Sequence, residues 1–92
     1  MIVGRVNETE RELAAQDSYE LWVAQSQKEG SVCSVGGCQE QSATAIQIRM
    51  YGLDENLVVP TCCGCAESRS ILTDIKEETY IARISSSAYL VS

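Results

Sequence analysis

Five cysteines gathered in two glycine-bearing clusters, 33-CSVGGC-38 and 62-CCGC-65, constrain this chain more than any other feature. A chain of 92 residues is one domain, and on folding it removes only about two-thirds of its unfolded surface from water. Few large side chains are on hand to fill its core: there is no phenylalanine, one tryptophan (Trp22) and four tyrosines. A core that thin needs a staple, and the cysteines are the residues able to supply one. Cys33 and Cys38 are separated by four residues, Cys62 and Cys65 by two, and the pairs by 23 residues that read as a hairpin. This is the layout of a metal site.

The compartment decides between disulfide and metal. Residues 1 to 20 hold Glu8, Glu10, Glu12 and Asp17, begin with Met1, and contain no apolar stretch of signal-peptide length. No run approaches the roughly 20 apolar residues of a membrane span. The chain is therefore expected in the cytoplasm, where thiols stay reduced, and an odd number of cysteines fits disulfides badly. Two competing readings of the thiols stay open. All five can be small buried hydrophobes, or Cys62 and Cys65 can form a C-x-x-C redox pair, although that motif normally follows a strand in a βαβ unit and none is visible.

Four thiolates and no histidine describe a closed, structural zinc site, since a catalytic zinc keeps one position open and usually includes His. Zinc binding coupled to folding is worth an apparent 10 to 16 kcal/mol, roughly, more than a thin core supplies. Other catalytic chemistry is missing from the sequence: there is no G-x-S-x-G, no phosphate-binding glycine loop and no histidine base. The adjacent acids Asp54 and Glu55, and Glu77 and Glu78, read as solvated surface. The expectation is a protein that binds and does not catalyse.

Met1 to Val6 reads as a short strand. Thr9 followed by Glu12 is a capping-box pattern, and Lys28 with Gly30 marks a stop, which predicts a helix over about 9 to 28. Ala15, Tyr19, Trp22, Val23 and Ser26 share one face of it, widened by Leu13 and Leu21, as the core side of an amphipathic helix. From Ala43, period-two alternation puts Ala45, Gln47, Arg49 and Tyr51 on one face of a strand and Thr44, Ile46, Ile48 and Met50 on the other. Gly52 to Asn56 is a turn, and Leu57 to Val59 is a return strand stopped by Pro60. Ile71, Leu72 and Ile75 at helical spacing predict a second helix over Ala66 to Glu78, and the tail TYIARI-SSS-AYLVS predicts two short strands around a serine turn.

A knuckle, a β-hairpin and a C-x-x-C at the start of a helix resemble the treble-clef zinc finger over residues 31–78. With the elements read above, the expected fold is one α+β domain over residues 1–92: an N-terminal strand and helix (1–30), a zinc-finger-like core (31–78) and C-terminal strands (79–92). The resemblance implies Zn²⁺ held by Cys33 and Cys38 of the knuckle and by Cys62 and Cys65 at the helix start, where the positive helix end lowers thiol pKa. Here four residues stand inside the knuckle where two are more common, and Cys63 is surplus, an alternative ligand to Cys62. Gly36, Gly37 and Gly64 are expected to let main-chain amides face the sulfurs.

With chemistry set aside, charge directs the functional reading. The net charge is −6, the seven Lys and Arg are scattered singly, and a tetrathiolate zinc would move it to about −8. Free nucleic acid is an unsuitable partner for such a chain, whereas a protein with a basic surface suits it. In size, charge and lack of catalytic residues the chain also resembles the acidic phage-encoded inhibitors of host defence, anti-CRISPR proteins among them. That resemblance implies a viral protein acting in the host cytoplasm by covering a basic, nucleic-acid-binding surface of a host complex. Expected contacts are Glu8, Glu10, Glu12, Asp54, Glu55, Glu77 and Glu78, with Arg49 or Arg69 near phosphate or guide RNA. The alternative is a zinc-finger transcription regulator that touches nucleic acid or polymerase, with Arg49 beside Tyr51, Arg69 and Arg83 as phosphate contacts.

Overall fold

Alternation in 44-TAIQIR-49 builds the strand on which the rest of the chain assembles. The computed structural model describes residues 1–7, 10–28, 30–53, 55–68 and 70–84. In chain order the elements are β1 (Ile2–Arg5), α1 (Ala15–Ser26), β2 (Thr44–Arg49), β3 (Leu57–Thr61), α2 (Cys63–Ala66), β4 (Leu72–Asp74) and β5 (Ala82–Arg83). The five strands form one antiparallel sheet in the order β4-β1-β2-β3-β5. Together with two helices and a cluster of four cysteines, this makes a mixed α and β protein.

The two faces of β2 fill two cores. Ile46 and Ile48 pack with Val3, Leu57, Val59 and Ile75 on one side of the sheet. Ala45 packs with Leu21, Trp22, Val58, Ala82 and Ile84 on the other, beneath α1. Period two thus separates the residues as the sequence predicts, but both sets are covered. Gln47, on the α1 side, is buried with the hydrophobes and must therefore find polar partners.

Those partners explain where α1 begins. The helix starts at Ala15, not near residue 9, and Thr9 of the expected capping box lies outside the described residues. Gln47 Nε2 donates to the Leu13 carbonyl at 2.8 Å and to Ser18 Oγ at 3.1 Å, while its Oε1 accepts from the Glu12 N–H at 3.0 Å. Asn56 Nδ2 donates to the Glu10 carbonyl at 3.0 Å. The Glu10 and Leu13 carbonyls and the Glu12 N–H are therefore committed to Asn56 and Gln47, while the Glu10 N–H closes a short turn on the Asn7 carbonyl at 3.1 Å. The buried stripe of α1 centres on Ser18, Leu21 and Trp22, with Ala15, Tyr19, Val23 and Ser26 only half-buried.

Two further expectations change on the sheet. β3 runs through Pro60 to Thr61. The Pro60 carbonyl accepts from the Ser34 N–H at 3.0 Å and from Ser34 Oγ at 2.6 Å, so this residue's polar edge faces away from β2, and the missing proline N–H costs no bond of that ladder. The helix expected over 66–78 is replaced by the single turn α2 and by β4. The Ser68 hydroxyl accepts from the Ser70 N–H, competing with helical bonding. Thr73 pairs with Val3, and the Ile75 N–H donates to the Met1 carbonyl at 2.7 Å, so these β-branched residues join the edge of the sheet. Of the two expected tail strands, the first survives as β5 and the second lies outside the described residues.

Candidate metal centre

Cys33 and Cys38 sit on a knuckle that hangs between β3 and β4. The Cys33 N–H donates to the Glu40 carbonyl at 2.7 Å, and Val32 bridges to Gln41, which closes the loop on itself. Ser34 ties it to Pro60 of β3, while the Gly36 N–H donates to the Asp74 carbonyl at 2.7 Å and the Lys76 N–H to the Ser34 carbonyl at 2.8 Å. Gly37 has φ +81°, the left-handed region that favours glycine. A Cβ on Gly36 would stand 3.0 Å from Asp74 Oδ2. Close approach at Gly36 and backbone conformation at Gly37 thus favour glycine, but the Gly36 N–H faces Asp74 and not a sulfur. Gly64 is under neither constraint: its φ is not positive and a Cβ there would meet nothing within 4 Å.

Cys62 and Cys65 come from the other side. β3 ends at Thr61, Cys62 is the N-cap of α2, and its Sγ accepts from the Cys65 N–H at 3.4 Å. The result is a set of four sulfurs, from Cys33, Cys38, Cys62 and Cys65, all within 4.8 Å of one another. The Sγ atoms of Cys38 and Cys62 are 3.8 Å apart. A disulfide needs about 2.05 Å. Four sulfurs placed tetrahedrally at about 2.3 Å from a zinc ion stand about 3.8 Å apart along each edge. The spacing therefore fits a metal and not a covalent bridge, and the four residues can hold an ion. Cys63 is exposed, and it is not among the four.

Main-chain donors face the sulfurs. The Cys65 N–H bonds Cys62 Sγ at 3.4 Å, and the main-chain amides of Val35 and Cys62 favour the Cys33 thiolate. Burial pushes the Cys33 thiol up from its ordinary range, against the pull of those two amides. Burial, then the neighbouring Cys62 and Cys33 thiols, raise Cys65 strongly. Cys62 is held low, chiefly by the Cys65 N–H.

Sequence reasoning missed two residues at this centre. Lys76 Nζ donates to the Cys33 carbonyl at 2.9 Å and to the Cys38 carbonyl at 2.6 Å. Arg5 Nη1 donates to the Cys65 carbonyl at 2.9 Å and Nη2 to the Ala66 carbonyl at 2.7 Å. Neither position carries a local motif. Only the pairing of β1 with β2 and the path of the chain after β4 bring them here.

The expected contact residues are dispersed. Glu10 and Arg49 approach at 3.8 Å, and Arg49 Nε donates to Asn56 Oδ1 at 2.8 Å. Glu55 accepts from Arg83 Nε at 2.7 Å, and the Arg83 main chain is bonded on both its N–H and carbonyl by Gln25. Glu12 is exposed on the segment before α1, and Glu77 and Glu78 are exposed in the turn after β4. Glu8, Asp54 and Arg69 lie outside the described residues. No helix among the described residues is long and apolar enough to cross a membrane. No protein-family model, curated protein or solved structure matches the chain.

Proposed function

We propose that this is a non-enzymatic binding module whose fold is locked by one structural zinc ion on Cys33, Cys38, Cys62 and Cys65, and whose acidic surface docks on a basic protein. One observation carries the metal reading: four thiol sulfurs converge from two distant chain segments, with one pair at the 3.8 Å edge length of a zinc tetrahedron. Zinc suits the donor set because it binds thiolates in a closed tetrahedron without redox chemistry. The knuckle and the β3–α2 corner supply two ligands each, so metal binding joins parts of the chain that are 24 or more residues apart.

For the partner, charge is the support. The chain carries −6 before any thiolate forms, and Glu10, Glu12, Glu77 and Glu78 are exposed. The role of an inhibitor that covers a nucleic-acid-binding surface, as anti-CRISPR proteins do, rests on size and charge. The rival reading as a nucleic-acid-contacting regulator would use Arg49, Arg69 and Arg83; Arg69 lies outside the described residues, and the guanidinium groups of Arg49 and Arg83 are bonded within the chain, to Asn56 and Glu10 and to Glu55. Elemental analysis of protein purified without chelator, followed by a melt with and without EDTA, tests the metal. About one zinc per chain, lost together with the fold, is the expected result, and a metal-free protein with an unchanged melt would overturn it. Titration with random-sequence DNA across a salt series tests the partner class. Binding with a steep salt slope would transfer the reading to the regulator.

A further inference from the structure

We propose that Arg5 and Lys76 are a pair of cationic clamps that set the metal affinity of the four-cysteine centre, Lys76 gripping the backbone of Cys33 and Cys38 and Arg5 that of Cys65 and Ala66. The inference rests on the metal reading above and extends it to two residues outside the ligand set. Lys76 holds the knuckle, with one ammonium bonded to the carbonyls of both Cys33 and Cys38 at 2.9 and 2.6 Å. Arg5 holds α2 at Cys65, its planar fork spanning the carbonyls of Cys65 and Ala66 at 2.9 and 2.7 Å. The two cations reach the centre from opposite directions in the chain, one from the strand β1 and one from the turn after β4.

Two consequences follow from the chemistry of the centre. Four thiolates around one divalent ion leave about −2 of net charge in a partly buried site, and only seven of the chain's residues are Lys or Arg. Placing two of those seven against carbonyls of the ligand segments offsets that charge at a partly buried centre. The same bonds fix the main chain of three of the four ligands, so less freedom remains to be lost when metal binds. Groups of this kind around a metal are typically worth about 10- to 100-fold in affinity. Arg and Lys are deployed according to shape: the bidentate fork meets two successive carbonyls of α2, and the compact ammonium sits between the two ends of the knuckle.

The test uses the full chain and Co²⁺ as a coloured substitute for zinc, titrated against a competing chelator at fixed pH. Lys76→Met and Arg5→Met are each expected to lose about 10- to 100-fold in affinity, with Lys76→Arg retaining most of it. The tetrahedral cobalt bands should persist in both Met variants, while the thiolate-to-cobalt charge-transfer band moves to lower energy, since removing a nearby cation raises the sulfur lone pairs. A residue that only supports the fold would lower the melting temperature and leave that band in place, and this result overturns the clamp. Unchanged affinity in both Met variants overturns it too. Because metal drives folding, cobalt binding is readable even in a variant that is unfolded alone. Complete loss in Lys76→Met supports the clamp when Lys76→Arg restores binding and overturns it when both are lost. If the wild-type chain binds no cobalt or zinc, the metal reading itself falls, a result distinct from wild-type binding with indifferent variants.

Discussion

At the scale of single residues, the structure separates cysteines and glycines that look alike in the sequence. Cys62 caps α2 and contributes to the four-sulfur cluster, whereas Cys63, the next residue, is exposed. Cys62→Ser should therefore abolish stoichiometric zinc binding and Cys63→Ser should leave it intact, as read by elemental analysis of the purified variants. The reverse pattern would place the ligand one residue later. Glycine is needed at Gly37 by its φ of +81° but not at Gly64. Gly64→Ala should leave stability unchanged or raise it by up to about 1 kcal/mol, and Gly37→Ala should lower it by about as much, with denaturant titration of the zinc-loaded protein as the measurement. Thr61 Oγ1 is buried with no hydrogen-bond partner among the described residues. A buried hydroxyl without a partner costs about 1 to 3 kcal/mol, so Thr61→Val, of matching shape, should raise the melting temperature.

At the scale of elements, what decides each outcome is whether the information was local. The clustering of four cysteines and the central hairpin were legible because both depend on short spacings: two cysteine pairs around glycine turns, and period two in 44-TAIQIR-49. The start of α1 was not legible, because it is set by Gln47 and Asn56, 35 and 46 residues away from the backbone they bind at Glu12 and Glu10. The second helix failed for a similar reason. Ile71, Leu72 and Ile75 carry helical spacing, but only Ile75 is buried, and pairing with β1 offers the backbone a ladder that the sequence of 66–78 does not announce. Lys76 and Arg5 at the metal centre were invisible on the same ground. Gln47→Leu tests how far the network governs α1. It strands the Glu12 N–H, the Leu13 carbonyl and the Ser18 hydroxyl at once. At about 1 to 3 kcal/mol for a group left unsatisfied, a loss of several kcal/mol is expected in denaturant unfolding, with residues 10–14 becoming exchange-labile before the sheet.

At the scale of the whole molecule, metal, charge and pH meet in one measurable quantity, the gap in melting temperature between zinc-loaded and metal-free protein. In the metal-free protein, burial raises the Cys33 and Cys65 thiols above the ordinary value of 9.0. Groups whose folded-state pKa is raised contribute stability that is present below the unfolded value and is lost as pH rises through the folded one. Cys62, held low by the Cys65 N–H, acts in the opposite sense: its contribution is present above the unfolded value and fades as pH falls through its folded pKa. Two raised thiols against one lowered one make the metal-free protein weaken above about pH 9. Zinc reverses the dependence, because every ligand must be a thiolate and binding releases the protons that Cys33 and Cys65 hold most tightly. Zinc affinity should fall steeply as pH is lowered from 8 to 5, closing the gap at the acid end, and the gap should widen toward pH 9 as proton competition weakens. Melting curves of zinc-loaded and EDTA-treated protein at half-unit pH steps would show it. A gap that stays constant from pH 5 to 9 would mean that these thiols do not bind the stabilising ion, and the two sheet faces would then have to hold the chain without it.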